Sequence, residues 1–109
     1  MKNKLISDLK KNIPASNVLD TLEERYAYAQ DAANIRRIKN LPDAVVFVEN
    51  TEQVQKVVKL ANKYKVPVIC RGAGTNVVGA CLVEHGGIIL NFSRMNKILS
   101  ISKENMTAC

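Results

Sequence analysis

The stretch from Ala44 to Gly79 leaves this chain the least freedom. Ala44-Val45-Val46-Phe47-Val48 is a β-branched apolar run of strand length. Asn50 or Thr51 can cap a helix after it, and Glu52 suits the positive end of that helix. Val54, Val57, Val58 and Ala61 recur at helical spacing and are expected to face inward. Gln55, Lys56, Lys59 and Asn62 point outward, and Lys63 and Lys65 suit the negative end. Pro67 opens a second apolar run that ends at Cys70. Strand, amphipathic helix and strand in this order form a βαβ unit, whose crossover is expected to be right-handed. The predicted class is α+β with one such unit, preceded by short helices.

The second strand runs into Arg71-Gly72-Ala73-Gly74-Thr75-Asn76-Val77-Val78-Gly79-Ala80. Of the five glycines in the chain, three fall in this decapeptide. Glycine lets a backbone approach another group closely, and successive N–H groups in such a loop can form a concavity that binds an anion, typically a phosphate. Thr75 and Asn76 add side-chain hydrogen bonding, and Arg71 is expected to add a fixed positive charge at the rim. A tight glycine turn with no ligand is the bland alternative. What weighs against it is position: the loop leaves the carboxyl end of a strand, where open α/β sheets bind ligands.

Around this unit the chain reads more plainly. Asn3 to Asn12 is an amphipathic helix through Leu5, Ile6 and Leu9, with Ile13 just beyond, and it stops before Pro14. Thr21 to Tyr28 reads as a second helix capped by Asp20. Asp31 to Asn40 reads as a connecting loop. Residues 1–40 are therefore expected to form a helical segment and linker, and residues 41–109 the main domain. Within that domain Gly86-Gly87 leads into a strand over Ile88–Phe92, and Ser93–Asn96 makes a turn. Ile98–Ile101 is a further strand, Lys103–Asn105 a hairpin turn, and Met106–Cys109 the beginning of another strand.

Several function classes fall away on residue grounds. The net charge is +6, yet the lysines and arginines come in small groups interleaved with acids, without stacking aromatics, so solvated helix faces explain them better than nucleic acid does. Cys70, Cys81 and Cys109 are an odd number without a CxxC pair; with His85 alone beside them no metal site is expected. Cys70, ending an apolar strand, is expected in the core. A Rossmann fingerprint would need its third glycine nearer than Gly79, and a Walker A loop would need a lysine that is absent between Lys65 and Lys97. No nucleophile–base pair or carboxylate pair stands out, so no catalytic residue is assigned. There is no signal-peptide pattern and no apolar run long enough to span a bilayer, and the expected location is cytoplasmic.

Taken together, Leu-Pro-Asp-Ala-Val-Val, Thr-Glu-Gln-Val, Val-Pro-Val-Ile-Cys-Arg-Gly-Ala-Gly-Thr-Asn, Gly-Gly-Ile-Ile-Leu and Arg-Met-Asn-Lys-Ile resemble one family. It is the FAD-binding domain of the p-cresol methylhydroxylase (PCMH) and vanillyl-alcohol oxidase type, and within it the branch of glycolate oxidase subunits and D-lactate dehydrogenases. The likeness covers Leu41 to Cys109 and reaches back to Tyr28, Asp31 and Ala32, which are similar to a Tyr-x-x-Asp step in that family. The resemblance implies that Arg71, Gly72, Ala73, Gly74, Thr75, Asn76 and Gly79 hold the FAD pyrophosphate, mostly through backbone N–H groups. Thr75 stands where some relatives carry a flavin-linking histidine, which implies non-covalent FAD. Cys70 stands where proline is frequent. Ala80 replaces a frequent glycine, and its methyl would crowd the loop if that position required positive φ.

The resemblance further implies an FAD-dependent oxidoreductase that transfers hydride from a 2-hydroxy acid of the glycolate or D-lactate class. The substrate would be held by a cap domain, with an electron-transfer subunit as partner. The chain looks like the N-terminal fragment of such a protein, expected to be inactive alone. The alternative is a non-catalytic nucleotide-binding or protein-interaction module, or an inactive truncated product.

Overall fold

A computed structural model describes residues 2–33 and 40–109. Helix α1 (Lys2–Asn12) forms where the sequence predicts it, burying Leu5 and Leu9, while Lys10 and Lys11 lie in its last turn beside the negative helix end. A single 3-10 turn (Ala15–Asn17) leads into a two-residue strand β1 (Val18–Leu19), too short to leave a period in the sequence. Helix α2 (Leu22–Ala27) is capped by Thr21 rather than Asp20. The Thr21 Oγ1 accepts from Glu24 N, and the Glu24 carboxylate accepts in return from Thr21 N, a reciprocal box that Asp20 cannot form. Asp20 instead takes the Lys10 ammonium at 2.9 Å. Of the loop expected over Asp31–Asn40, residues 34–39 lie outside the described residues, and Arg36, Arg37 and Lys39 with them.

The βαβ unit is present: β2 (Ala44–Phe47), α3 (Thr51–Tyr64) capped by the Asn50 side chain, and β3 (Val68–Arg71). Strand β4 (Ile88–Asn91) returns between β2 and β3, parallel to both, and β1 pairs antiparallel on the far side, giving the order β1-β2-β4-β3. A parallel return from β3 to β4 needs a long crossover, and residues 72–87 supply it without a helix. The glycine loop is the first part of that crossover.

The sheet buries both faces. Ala44, Val46, Val48, Ile88 and Leu90 meet Leu5, Leu9 and Ile13 at α1 and Val57 and Ala61 of α3 in one core. Val45 and Ile89, on the opposite pleat, pack with Val83, Tyr28, Phe47 and Ile69. Burial on both faces is why β2 and β4 read as continuous apolar runs. Two expectations are corrected here. Val58 is 39% exposed, because the buried stripe of α3 runs through Val57 and Ala61, and one step of 100° carries residue 58 off it. Cys70 is exposed, because β3 is the outer strand of the sheet.

Beyond β4 a turn at Ser93–Arg94 leads to a hairpin of β5 (Ile101–Ser102) and β6 (Thr107–Ala108), shorter than the strand expected over Ile98–Ile101. Ile98, Leu99, Ile101 and Met106 stand exposed on it. Among the described residues no helix is long and apolar enough to cross a membrane.

Helices α1 and α3 are clasped by Asp8, whose carboxylate accepts from Tyr64 Oη at 2.6 Å and from Lys63 Nζ at 3.0 Å. The tyrosine hydrogen bond first, then that of Lys63, holds the Asp8 carboxyl below its ordinary range, and the same contacts with Asp8 raise Lys63 and Tyr64. A lowered acid stabilises the fold above its unfolded value and loses that contribution as pH falls through the folded one. Raised groups contribute below their unfolded values and lose that contribution as pH rises. The melting-temperature difference between wild type and Asp8→Asn is therefore expected to be flat between about pH 5 and 9. It should shrink below about pH 4 and above about pH 10. A difference undiminished at pH 3 would contradict the clasp.

Candidate functional site

Residues 71–81 leave the carboxyl end of β3 and fold back over their own base. Arg71 is half-buried and is not a free charge at the rim. Its Nη1 donates to Gln30 O at 2.7 Å and to Tyr28 O at 3.3 Å, and its guanidinium lies 5.4 Å from the Tyr28 ring centroid. The arginine thus ties the loop to the Tyr28–Gln30 segment. Asp31 extends that tie: its Oδ2 accepts from Gly79 N at 3.0 Å and its Oδ1 from Ala33 N at 3.1 Å. Ala32 N donates to Asn76 O at 3.2 Å. Tyr28, Asp31 and Ala32, which the sequence offers only as a faint likeness, are the braces of the loop.

Inside this frame the candidate residues separate by role. Gly74 is buried with φ +75°, and a Cβ there would fall on the Arg71 guanidinium, 2.7 Å from its Cζ. Glycine at 74 is thus demanded by the protein itself. Gly72 differs: a Cβ at that position would meet nothing within 4 Å, and its φ is not among the positive ones. Gly72, Ala73 and Thr75 are exposed and form the outer edge of the loop. Among the described residues, the backbone N–H groups of Gly72, Ala73, Gly74, Thr75 and Asn76 have no hydrogen-bond acceptor. Gly79 shares the loop, but its N–H is engaged by Asp31. Ala80 carries no strain, since its φ is not positive, and its N–H donates to Asn76 Oδ1 at 3.1 Å.

A run of backbone donors without acceptors among the described residues, edged by a glycine where a Cβ would meet nothing within 4 Å, fits an anion that approaches the backbone closely. Sequence reasoning missed Cys81, whose buried sulfur lies beneath the loop against Arg71 and Asn76. Only an apolar context could have signalled it.

Residues 42–109 match the family model described as an FAD binding domain. A glycolate oxidase subunit of Bacillus subtilis is 36% identical over 92 residues, which is 84% of this chain and 19% of that protein. A mitochondrial cytochrome-type D-lactate dehydrogenase of Arabidopsis thaliana is 34% identical over 102 residues, 94% of this chain and 18% of that one. The solved structure of p-cresol methylhydroxylase with substrate bound superposes with a TM-score of 0.72 at 27% identity, over 94% of this chain and 20% of the other. The chain thus spans about a fifth of the length of the curated relatives it matches.

Proposed function

Since the chain belongs to the FAD binding domain family, we propose that Arg71 to Gly79 cradle the pyrophosphate of non-covalent FAD in an enzyme that oxidises a 2-hydroxy acid. The family of oxidoreductases that includes glycolate oxidase and D-lactate dehydrogenase has FAD as its cofactor. The observation that carries the loop assignment is the run of five N–H groups, from Gly72 to Asn76, that have no acceptor among the described residues. These amides would donate to the phosphate oxygens, and Gly72 would leave room for them to come close. Gly74 lets Arg71 pass beneath, and Arg71 and Asp31 hold the loop to the Tyr28–Ala33 segment. Thr75 offers no ring nitrogen for a flavin link, which supports non-covalent binding. When bound, the flavin supplies the hydride acceptor.

The glycolate or D-lactate class of substrate is supported by the two relatives named above. An electron-accepting partner protein is supported by relatives named as subunits, among them a 4-cresol dehydrogenase flavoprotein subunit of Pseudomonas putida, 31% identical over 104 residues.

The test separates binding from folding. Gly72→Leu adds a side chain at an exposed position where a Cβ meets nothing within 4 Å, on the side from which the pyrophosphate would approach. It is expected to lower FAD affinity by about a hundredfold or more while leaving the melting temperature within about 2 °C. Lys56→Ala, which removes only an exposed i,i+4 pair with Glu52, should bind as wild type does. Equal flavin content in the two variants would sink the assignment. Gly74→Val discriminates less, because its side chain strikes Arg71 whether or not FAD is bound.

A further inference from the structure

Cys81 is 3% exposed and has no role in the reading above. Its Sγ accepts two hydrogen bonds, from Asn76 Nδ2 at 3.1 Å and from Arg71 Nη1 at 3.4 Å. These donors flank the cradle: Arg71 immediately precedes the five acceptor-free amides, and Asn76 is the last of them. Both donors are also fastened elsewhere. Arg71 Nη1 reaches Tyr28 O and Gln30 O, while Asn76 Oδ1 accepts from Ala80 N and Asn76 O from Ala32 N. The sulfur is therefore an atom shared by both ends of the loop, placed below it where solvent does not compete.

From this geometry we infer that Cys81 is a positioning residue for the cofactor, its sulfur pinning the two ends of the cradle at a fixed separation. A thiol is a weak acceptor in water. Arg71 Nη1 keeps Gln30 O and Tyr28 O when the sulfur is lost, but Asn76 Nδ2 loses its acceptor beneath the loop, which costs more than the bond itself gives. The Asn76 side chain would then turn, Ala80 N would lose its partner, and the amides between Arg71 and Asn76 would no longer be held in one arrangement. A loosely held cradle binds more weakly because it must be ordered on binding. That consequence for affinity rests on the pyrophosphate reading; the pinning of the loop does not.

The experiment compares Cys81→Ala, Cys81→Ser and Val83→Ala, with ADP as the diphosphate probe. Val83 lies two residues along, also buried, and packs in one cluster with Val45 and Ile89 of the sheet. Three quantities are measured for each: the melting temperature, the Kd for ADP, and the backbone amide signals of Gly72–Asn76 without ligand. Cys81→Ala is expected to shift those signals and weaken ADP binding by about tenfold. Cys81→Ser, which restores an acceptor, should return both to within about twofold of wild type. Val83→Ala should lower the melting temperature but leave the loop signals and the Kd unchanged.

If Cys81→Ala behaves like Val83→Ala, or Cys81→Ser rescues nothing, the inference is overturned. If the loop signals move in Cys81→Ala and return in Cys81→Ser while wild type ignores ADP, the pin stands and the pyrophosphate reading falls.

Discussion

Val57→Asp is expected to unfold the protein, and Val58→Asp, the next residue of the same helix, to leave it folded. Val57 is fully buried at the meeting of α3, α1 and the sheet, among Leu5, Leu9, Val46 and Leu90. A carboxylate there would have no partner and no water, and it would also remove the packing of a branched side chain. The combined cost is about 4 kcal/mol or more, most of the stability of a small domain. Val58 is 39% exposed, so aspartate there can stay hydrated, and the cost is within about 1 kcal/mol. Circular dichroism of the two variants decides the matter. Loss of structure in Val58→Asp with retention in Val57→Asp would reverse the assigned face of α3.

Gly87→Ala is the second large effect expected, for a different reason. Gly87 has φ +101°, and a Cβ there would lie 2.5 Å from Pro67 O and 2.6 Å from Pro67 Cγ. Pro67 O cannot yield, because it accepts from Ile88 N at 2.9 Å to start the β3–β4 ladder. Gly87 cannot yield either: its N–H donates to Asp43 Oδ2 at 2.9 Å, and its carbonyl accepts from Asp43 N at 2.7 Å. The starts of β2, β3 and β4 are thus locked around one residue that has no side chain. Left-handed strain and overpacking together cost about 3–5 kcal/mol, or roughly 10–20 °C in melting temperature. Gly72→Ala, which meets nothing within 4 Å, should shift the melting temperature by only about 2 °C. Equal melting of the two variants would contradict the packing at Gly87.

What was legible in the sequence was whatever depends on neighbours along the chain. The strands at Ala44 and Ile88 announce themselves because both of their faces are buried, and Asn50 marks the start of α3 by its own capping bond. The position of the glycine loop at a strand's carboxyl end followed from the βαβ order alone. What depends on distant contacts was not legible. The placement of β4 between β2 and β3 is decided by the path of residues 72–87, and β1 exists only through its pairing with Val45 and Val46. Cys70 reads as core because its strand is apolar, yet an outer strand leaves it in solvent. Arg71 reads as a rim charge because it adjoins glycines, yet its guanidinium finds the carbonyls of Tyr28 and Gln30. No local pattern marks a carbonyl as a partner or a sulfur as a pin.

If the amides of Gly72–Asn76 hold a pyrophosphate as proposed, their own signals report it most directly. The 15N-labelled protein is titrated with ADP, and backbone shifts are mapped along the chain. The largest movements are expected at Gly72, Ala73, Gly74, Thr75 and Asn76. The amide of Gly79, already bonded to Asp31, should move less, and those of the Lys56 face of α3 should stay still. Movements confined to the lysines of α1 and α3, with residues 72–76 unmoved at saturation, would show that ADP is held by surface charge and that the loop is no cradle.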